Sequence, residues 1–154
     1  MNTMPILQAI AAAVGALGFS VLFNIRGKNL IFAALGGGLS WGLFLILELL
    51  IESEAICYFI VALMASLYAE AMARLLRSPA TIFIAPSMIP LVPGASLYYT
   101  MANALDGNVD GFIKKGIDTL TLAAALSIGV IVSAVIMRTV TKLTAAAQKR
   151  KKQC

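Results

Sequence analysis

The sequence predicts an all-α fold, a polytopic membrane helical bundle of five spans with a proline-broken fourth span. Three observations carry this reading. Hydrophobic residues make up 60% of the 154 residues and charged residues only 12%, with a mean hydropathy of +0.92; soluble domains usually hold about 45–50% and about 25%. Four apolar runs reach the roughly 20 residues that a helix needs to cross a hydrocarbon core of about 30 Å. Basic residues, finally, gather after alternate runs, which fixes both the number of crossings and their direction.

The first run, Met4 to Phe23, has no Lys or Arg before it and no convincing small-residue cleavage site after it. It therefore reads as a retained span and not as a removed signal peptide. The second, Leu30 to Ile51, carries Ala34, Gly38 and Gly42 at four-residue steps beside Gly36-Gly37-Gly38; the third, Ala55 to Leu76, carries Ala65, Ala69 and Ala73. The last, Gly116 to Met137, carries Thr121, Ala125, Gly129 and Ser133. Helices in lipid gain little from apolar burial against each other, so such small-residue stripes provide close approach. Residues 1–142 make the membrane domain, and 143–154 a basic cytoplasmic tail.

Between the third and last runs, Ala80 to Leu105 is long enough to cross but holds Pro86, Pro90, Pro93 and Gly94. Each proline removes a backbone donor and disfavours helix at the residue before it, so regular helix is not expected from about Ala85 to Gly94. Carbonyls left open at membrane depth cost several kcal/mol each unless protein, water or a ligand meets them. From Ala95 helix can resume, capped by Gly94 or Ser96. A half-helix that starts inside the membrane aims free N–H groups and a positive dipole end at the break, which suits a carboxylate. Ser87, Ser96 and Asn103 add hydrogen-bonding groups around it, so Pro86, Ser87, Pro90, Pro93, Gly94, Ser96 and Asn103 are the candidate substrate-binding residues.

Ten of the twelve basic residues follow the first, third and last spans: Arg26, Lys28, Arg74, Arg77, Arg138, Lys142 and Lys149 to Lys152. The other side holds Glu52, Glu54, Asp106, Asp110, Lys114 and Lys115. The positive-inside rule then puts the N-terminus outside and the C-terminus in the cytoplasm. Leaving out the broken span would put Arg74 and Arg77 opposite the basic tail.

Two acids inside the spans are candidates for proton coupling. Glu70 lies near the inner end of the third span, with Arg74 one turn away as its expected ion-pair partner. Asp118 lies near the outer end of the last span, expected in its first turn, where the helix dipole favours an acid. Glu48 is a weaker candidate of the same kind.

Several function classes drop out. The chain has no histidine, so histidine-dependent catalysis by it alone is excluded. Gly38-Leu39-Ser40-Trp41-Gly42 matches a nucleophile-elbow pattern, but that pattern needs a strand-to-helix turn and a triad histidine; a Gly38/Gly42 packing pair explains it instead. Cys57 and Cys154 have no zinc-ligand or disulfide spacing. The net charge of +5 comes from short clusters between spans, which is the pattern of membrane anchors and not of a nucleic-acid face. No cofactor or metal is expected, and the partners are the lipid bilayer and a small-molecule substrate, with no nucleic acid.

The segment Pro86-Ser-Met-Ile-Pro90-Leu-Val-Pro93-Gly94 resembles the Pro-Leu-Val-Pro-Gly signature of the threonine/serine exporter (ThrE-type) family. In length, span count and basic C-terminus the chain is similar to the small subunit of the family's split form, equivalent to the C-terminal membrane half of the fused exporter. The resemblance implies a bacterial inner-membrane exporter of threonine and serine, or of a dicarboxylate such as succinate, with a larger membrane subunit as partner, in a homo- or hetero-oligomer. An odd number of spans agrees with inverted repeats, which alternating-access transporters often use. The rival from another class is a non-transporting membrane assembly or holin-like subunit, in which the prolines serve folding only.

Overall fold

The computed structural model describes residues 5–152, with side chains described up to residue 143. Cys154 and the side chains of the basic run Lys149 to Lys152 lie outside the described residues. Six helices follow in order: α1 Pro5–Leu22, α2 Lys28–Glu48, α3 Glu54–Leu75, α4 Thr81–Met88, α5 Gly94–Leu105 and α6 Val109–Lys152, with one turn of 3-10 helix at Ile89–Leu91 between α4 and α5. The described residues contain no strand, and the chain is an all-α polytopic membrane bundle. Helices α1, α2, α3 and α6 each cross by length and composition, while α4 and α5 make a pair bent by 54°. Large apolar side chains such as Ile6, Leu22, Leu97 and Leu120 stand exposed on its outside, as a surface facing lipid requires.

The arrangement of α3 and α6 decides how the bent pair runs. A side chain on Gly129 would press on the Phe59 carbonyl at 2.7 Å and on Ala62, and Arg74 donates to the Thr141 hydroxyl at 2.6 Å. Ala62 to Gly129 and Arg74 to Thr141 are both steps of 67 residues, so the two helices lie parallel in one register. The chain must return to the far end between them, and the α4–α5 pair makes that return. It is a broken span and not a re-entrant loop.

The triple glycine of α2 is a three-way junction. Gly36 faces Ser87 and the Tyr68 ring, Gly37 faces Ala16 and the Pro86 carbonyl, and Gly38 faces Ala13, 3.0 Å from where its own side chain would begin. Three neighbouring helices can thus approach one short piece of backbone. The expected Gly38/Gly42 pair is not formed, because nothing lies within 4 Å of Gly42. Ala34, Ala65, Ala69 and Ala73 are buried as their stripes predict, whereas Thr121 is exposed and donates to the Ile117 carbonyl of its own helix.

Helices α1, α3 and α5 end in one device, a residue in the left-handed region with an N–H reaching back five residues. Asn24, Arg77 and Gly107 have φ of 57°, 51° and 69°, and Ile25, Ser78 and Asn108 donate to Ser20, Ala73 and Asn103. Helix α6 begins earlier than the apolar run suggests and continues without a break to Lys152, 44 residues or roughly 66 Å. Lys114, Lys115 and Asp118 therefore lie within the helix. Asp110, not Asp118, is the acid of its first turn.

Candidate functional site

The break is narrower than three prolines suggest. Pro86 sits inside α4 and Pro90 inside the 3-10 turn, and regular structure is lost only at Val92 and Pro93. Helix α2 packs closely on this segment and meets one of its backbone carbonyls. The Pro86 carbonyl lies against Gly37, 3.3 Å from the place of its missing side chain, and Ser40 reaches across from α2 to donate to the Ser87 carbonyl at 2.7 Å. Pro93, with φ −74° and ψ 60°, is the centre of an inverse γ-turn closed by the Gly94 N–H on the Val92 carbonyl at 2.6 Å. It is also the N-cap of α5, so neither Gly94 nor Ser96 has the cap position; both are helical, and no side chain caps the helix.

The break lies beside the C-terminal end of α2 and the N-terminal part of α3. Leu91 is fully buried among Phe44, Tyr58, Val61 and Leu122. Pro86 and Ser87 are buried against α2, and the Ser87 hydroxyl has no partner. Gly94 is exposed, with no protein atom within 4 Å of its side-chain position, and Val92 and Leu97 on either side of it are exposed as well. Pro90, with Gln8, Ala12 and Trp41, lines a shallow depression between α1 and α2.

A second candidate place is a cleft of about 400 Å³ at the far end of α3, lined by Glu70, Arg74, Met137, Arg138, Thr141 and Lys142. The expected Glu70–Arg74 ion pair is not formed among the described residues. Arg74 turns instead to α6, where the Thr141 hydroxyl at 2.6 Å and the Met137 carbonyl at 3.5 Å accept from it. The register explains this: Arg74 and Thr141 stand opposite each other on touching helices, while a partner one turn along α3 has no such support. Ser66 and Ser133, also 67 apart, lie about two turns deeper on the same seam, both buried and with hydroxyls lacking partners among the described residues.

A sequence model of the family described as Threonine/Serine exporter, ThrE, matches residues 8–136. The chain belongs to this family. No solved structure matches the chain. Along the chain, the matched stretch takes in the break, Glu70, Arg74 and Asp118, and it stops before Arg138, Thr141 and Lys142.

The fold does not bring all the candidate residues together. Glu70 is nine residues beyond Val61 along α3, which puts it about 13 Å from the level of the break. Asn103 lies toward the other end, where it donates to the Tyr99 carbonyl at 2.7 Å and accepts from Asn108, whose side-chain oxygen takes the Gly111 N–H. Asn103 is thus part of the joint between α5 and α6. Asp118 is half-exposed and forms an ion pair with Lys115 at 3.6 Å. The Ser96 carbonyl accepts from Thr100, whose hydroxyl lies 3.3 Å from that of Thr119. Sequence reasoning missed the α3–α6 cleft, since Arg138 and Lys142 read as anchors until the helix register sets them opposite Glu70.

Proposed function

We propose that the chain is one subunit of a two-part secondary exporter for small carboxylate-bearing metabolites, threonine and serine first, acting with a larger membrane subunit. Family membership supports a threonine/serine exporter-type transport role for this multi-pass membrane protein. The observation that carries the finer reading is the uncapped first turn of α5, exposed at Gly94 beside the break. The Ala95 and Ser96 amides, which have no helical acceptor, and a positive dipole end there suit a substrate carboxylate. Discontinuous helices supply such sites in many secondary transporters.

In this reading Pro86, Pro90 and Pro93 shape the break, Gly94 keeps it open, and Ser87 and Ser96 supply polar groups next to it. Asn103 holds the α5–α6 joint behind the site. Proton exchange drives export, with Glu70 as the first relay and Asp118 as the second. The membrane is the bacterial inner membrane, and the distribution of Lys and Arg supports an N-terminus outside and a C-terminus in the cytoplasm.

The test is efflux of threonine, serine and succinate from loaded cells that make this chain with and without the larger subunit. Selective amino-acid efflux only when both are present is the expected result. Selective succinate efflux would move the substrate to dicarboxylates. Unselective leakage, or none with the chain correctly inserted, would reduce the break to a structural feature.

A further inference from the structure

The α3–α6 cleft holds a carboxylate and three cations, and Glu70 and Arg74 share it without pairing directly. Arg74 commits one amino group to α6, which leaves its remaining N–H donors for a ligand. Arg138 and Lys142 are one helical turn apart on the opposite wall, both exposed. At about 400 Å³, and roughly 30 Å³ per water, the cleft has space for a small metabolite with part of its hydration. Three positive charges against one negative repel a simple cation, and Glu70 is the one group of the lining that selects for a cationic group on the ligand. A molecule that carries both signs on adjacent atoms satisfies both walls.

We propose that this cleft is the loading site for a zwitterionic α-amino acid, whose ammonium group donates to Glu70 and whose carboxylate is held by Arg74 and Arg138. The inference rests on the exporter reading and narrows its substrate to amino acids against dicarboxylates. Three further observations agree with it. The cleft is at the end where Lys and Arg concentrate, the cytoplasmic end by the positive-inside rule, from which an exporter must load. The unpartnered hydroxyls of Ser66 and Ser133 make the seam polar one turn further toward the break. A carboxylate that gives up an ammonium group is then open to a proton, so substrate binding and proton carriage are successive uses of Glu70.

The experiment measures threonine and succinate export against internal concentration, with the larger subunit present, for the wild type, Glu70→Gln, Glu70→Asp and Arg138→Gln. The expected result is a rise of about tenfold or more in half-saturating threonine for Glu70→Gln, as loss of one charge-assisted contact implies. Partial recovery in Glu70→Asp and a severalfold rise in Arg138→Gln complete the pattern, and any succinate export is unchanged or improved in Glu70→Gln. Wild-type threonine kinetics in Glu70→Gln would overturn the loading site and leave the exporter reading standing. Absence of threonine export in the wild type would take down both. If Glu70→Gln fails to reach the membrane, Ala134→Cys in a Cys154→Ser background decides: protection of the new thiol from a maleimide by threonine and not by succinate supports the site, and equal or absent protection overturns it.

Discussion

The Ser40 hydroxyl donates to the Ser87 carbonyl at 2.7 Å, joining α2 to the proline-rich half of the broken span. The Gly37 carbonyl lies 2.9 Å from the same oxygen, so one proton has two acceptors and the shorter contact is the one between helices. Ser40→Ala removes it and leaves a buried carbonyl at membrane depth. Interhelical side-chain hydrogen bonds in membranes average about 0.6 kcal/mol and reach about 1.7, and a loss within that range is expected. Unfolding in mixed detergent, compared with wild type, measures it.

Gly129 and Gly42 look alike in sequence, each in a small-residue stripe, and they should answer oppositely to alanine. At Gly129 a side chain would press on the Phe59 carbonyl at 2.7 Å and on Ala62, so Gly129→Ala must push α3 and α6 apart. Gly42 meets nothing within 4 Å, and Gly42→Ala adds helix propensity of up to about 1 kcal/mol. Thermal stability in detergent should fall for the first and hold or rise for the second.

Gly94→Leu tests the break without disturbing the fold. The position has open space and no left-handed backbone, so the variant should reach the membrane at normal levels with unchanged melting. A leucine over the first turn of α5 denies a carboxylate its amide donors, and threonine export should fall by about tenfold or more. Equal export with equal membrane levels would remove the α5 terminus from the substrate path.

Asp118→Asn breaks the Lys115 ion pair, whose partners are 44% and 49% exposed. Solvent-exposed pairs are worth about 0–1 kcal/mol, so stability should barely change. Proton uptake accompanying threonine efflux is the informative measurement. A decrease in Asp118→Asn at unchanged stability supports its place in the coupling path, and unchanged uptake leaves it an ordinary surface pair.

The all-α membrane class and the run of spans were legible because hydropathy and alternating basic residues are properties of the chain that need no neighbours. The break was legible too wide. Proline rules say what a residue takes from its own helix, and the hydrogen bond contributed by Ser40 comes from α2, which no local rule sees. The first and third runs end within one residue of α1 and α3, while their left-handed caps carry no glycine signal, since Asn24 and Arg77 take the position. Pairing Glu70 with Arg74 failed for a related reason: the four-residue step is a rule for one helix alone, and Thr141 competes from another. Once the 67-residue register is known, the α3–α6 cleft follows from the sequence, but that register is set by Gly129 on Ala62, a contact between helices far apart in the chain.

The two halves of the fourth crossing have different neighbours. Helix α4 is held by α1, α2 and α3, whereas α5 packs against α6. Helix α6 reaches α5 directly and α4 only through α3, so the two halves of one crossing answer to different parts of the bundle, and Val92 and Pro93, a single γ-turn, join them.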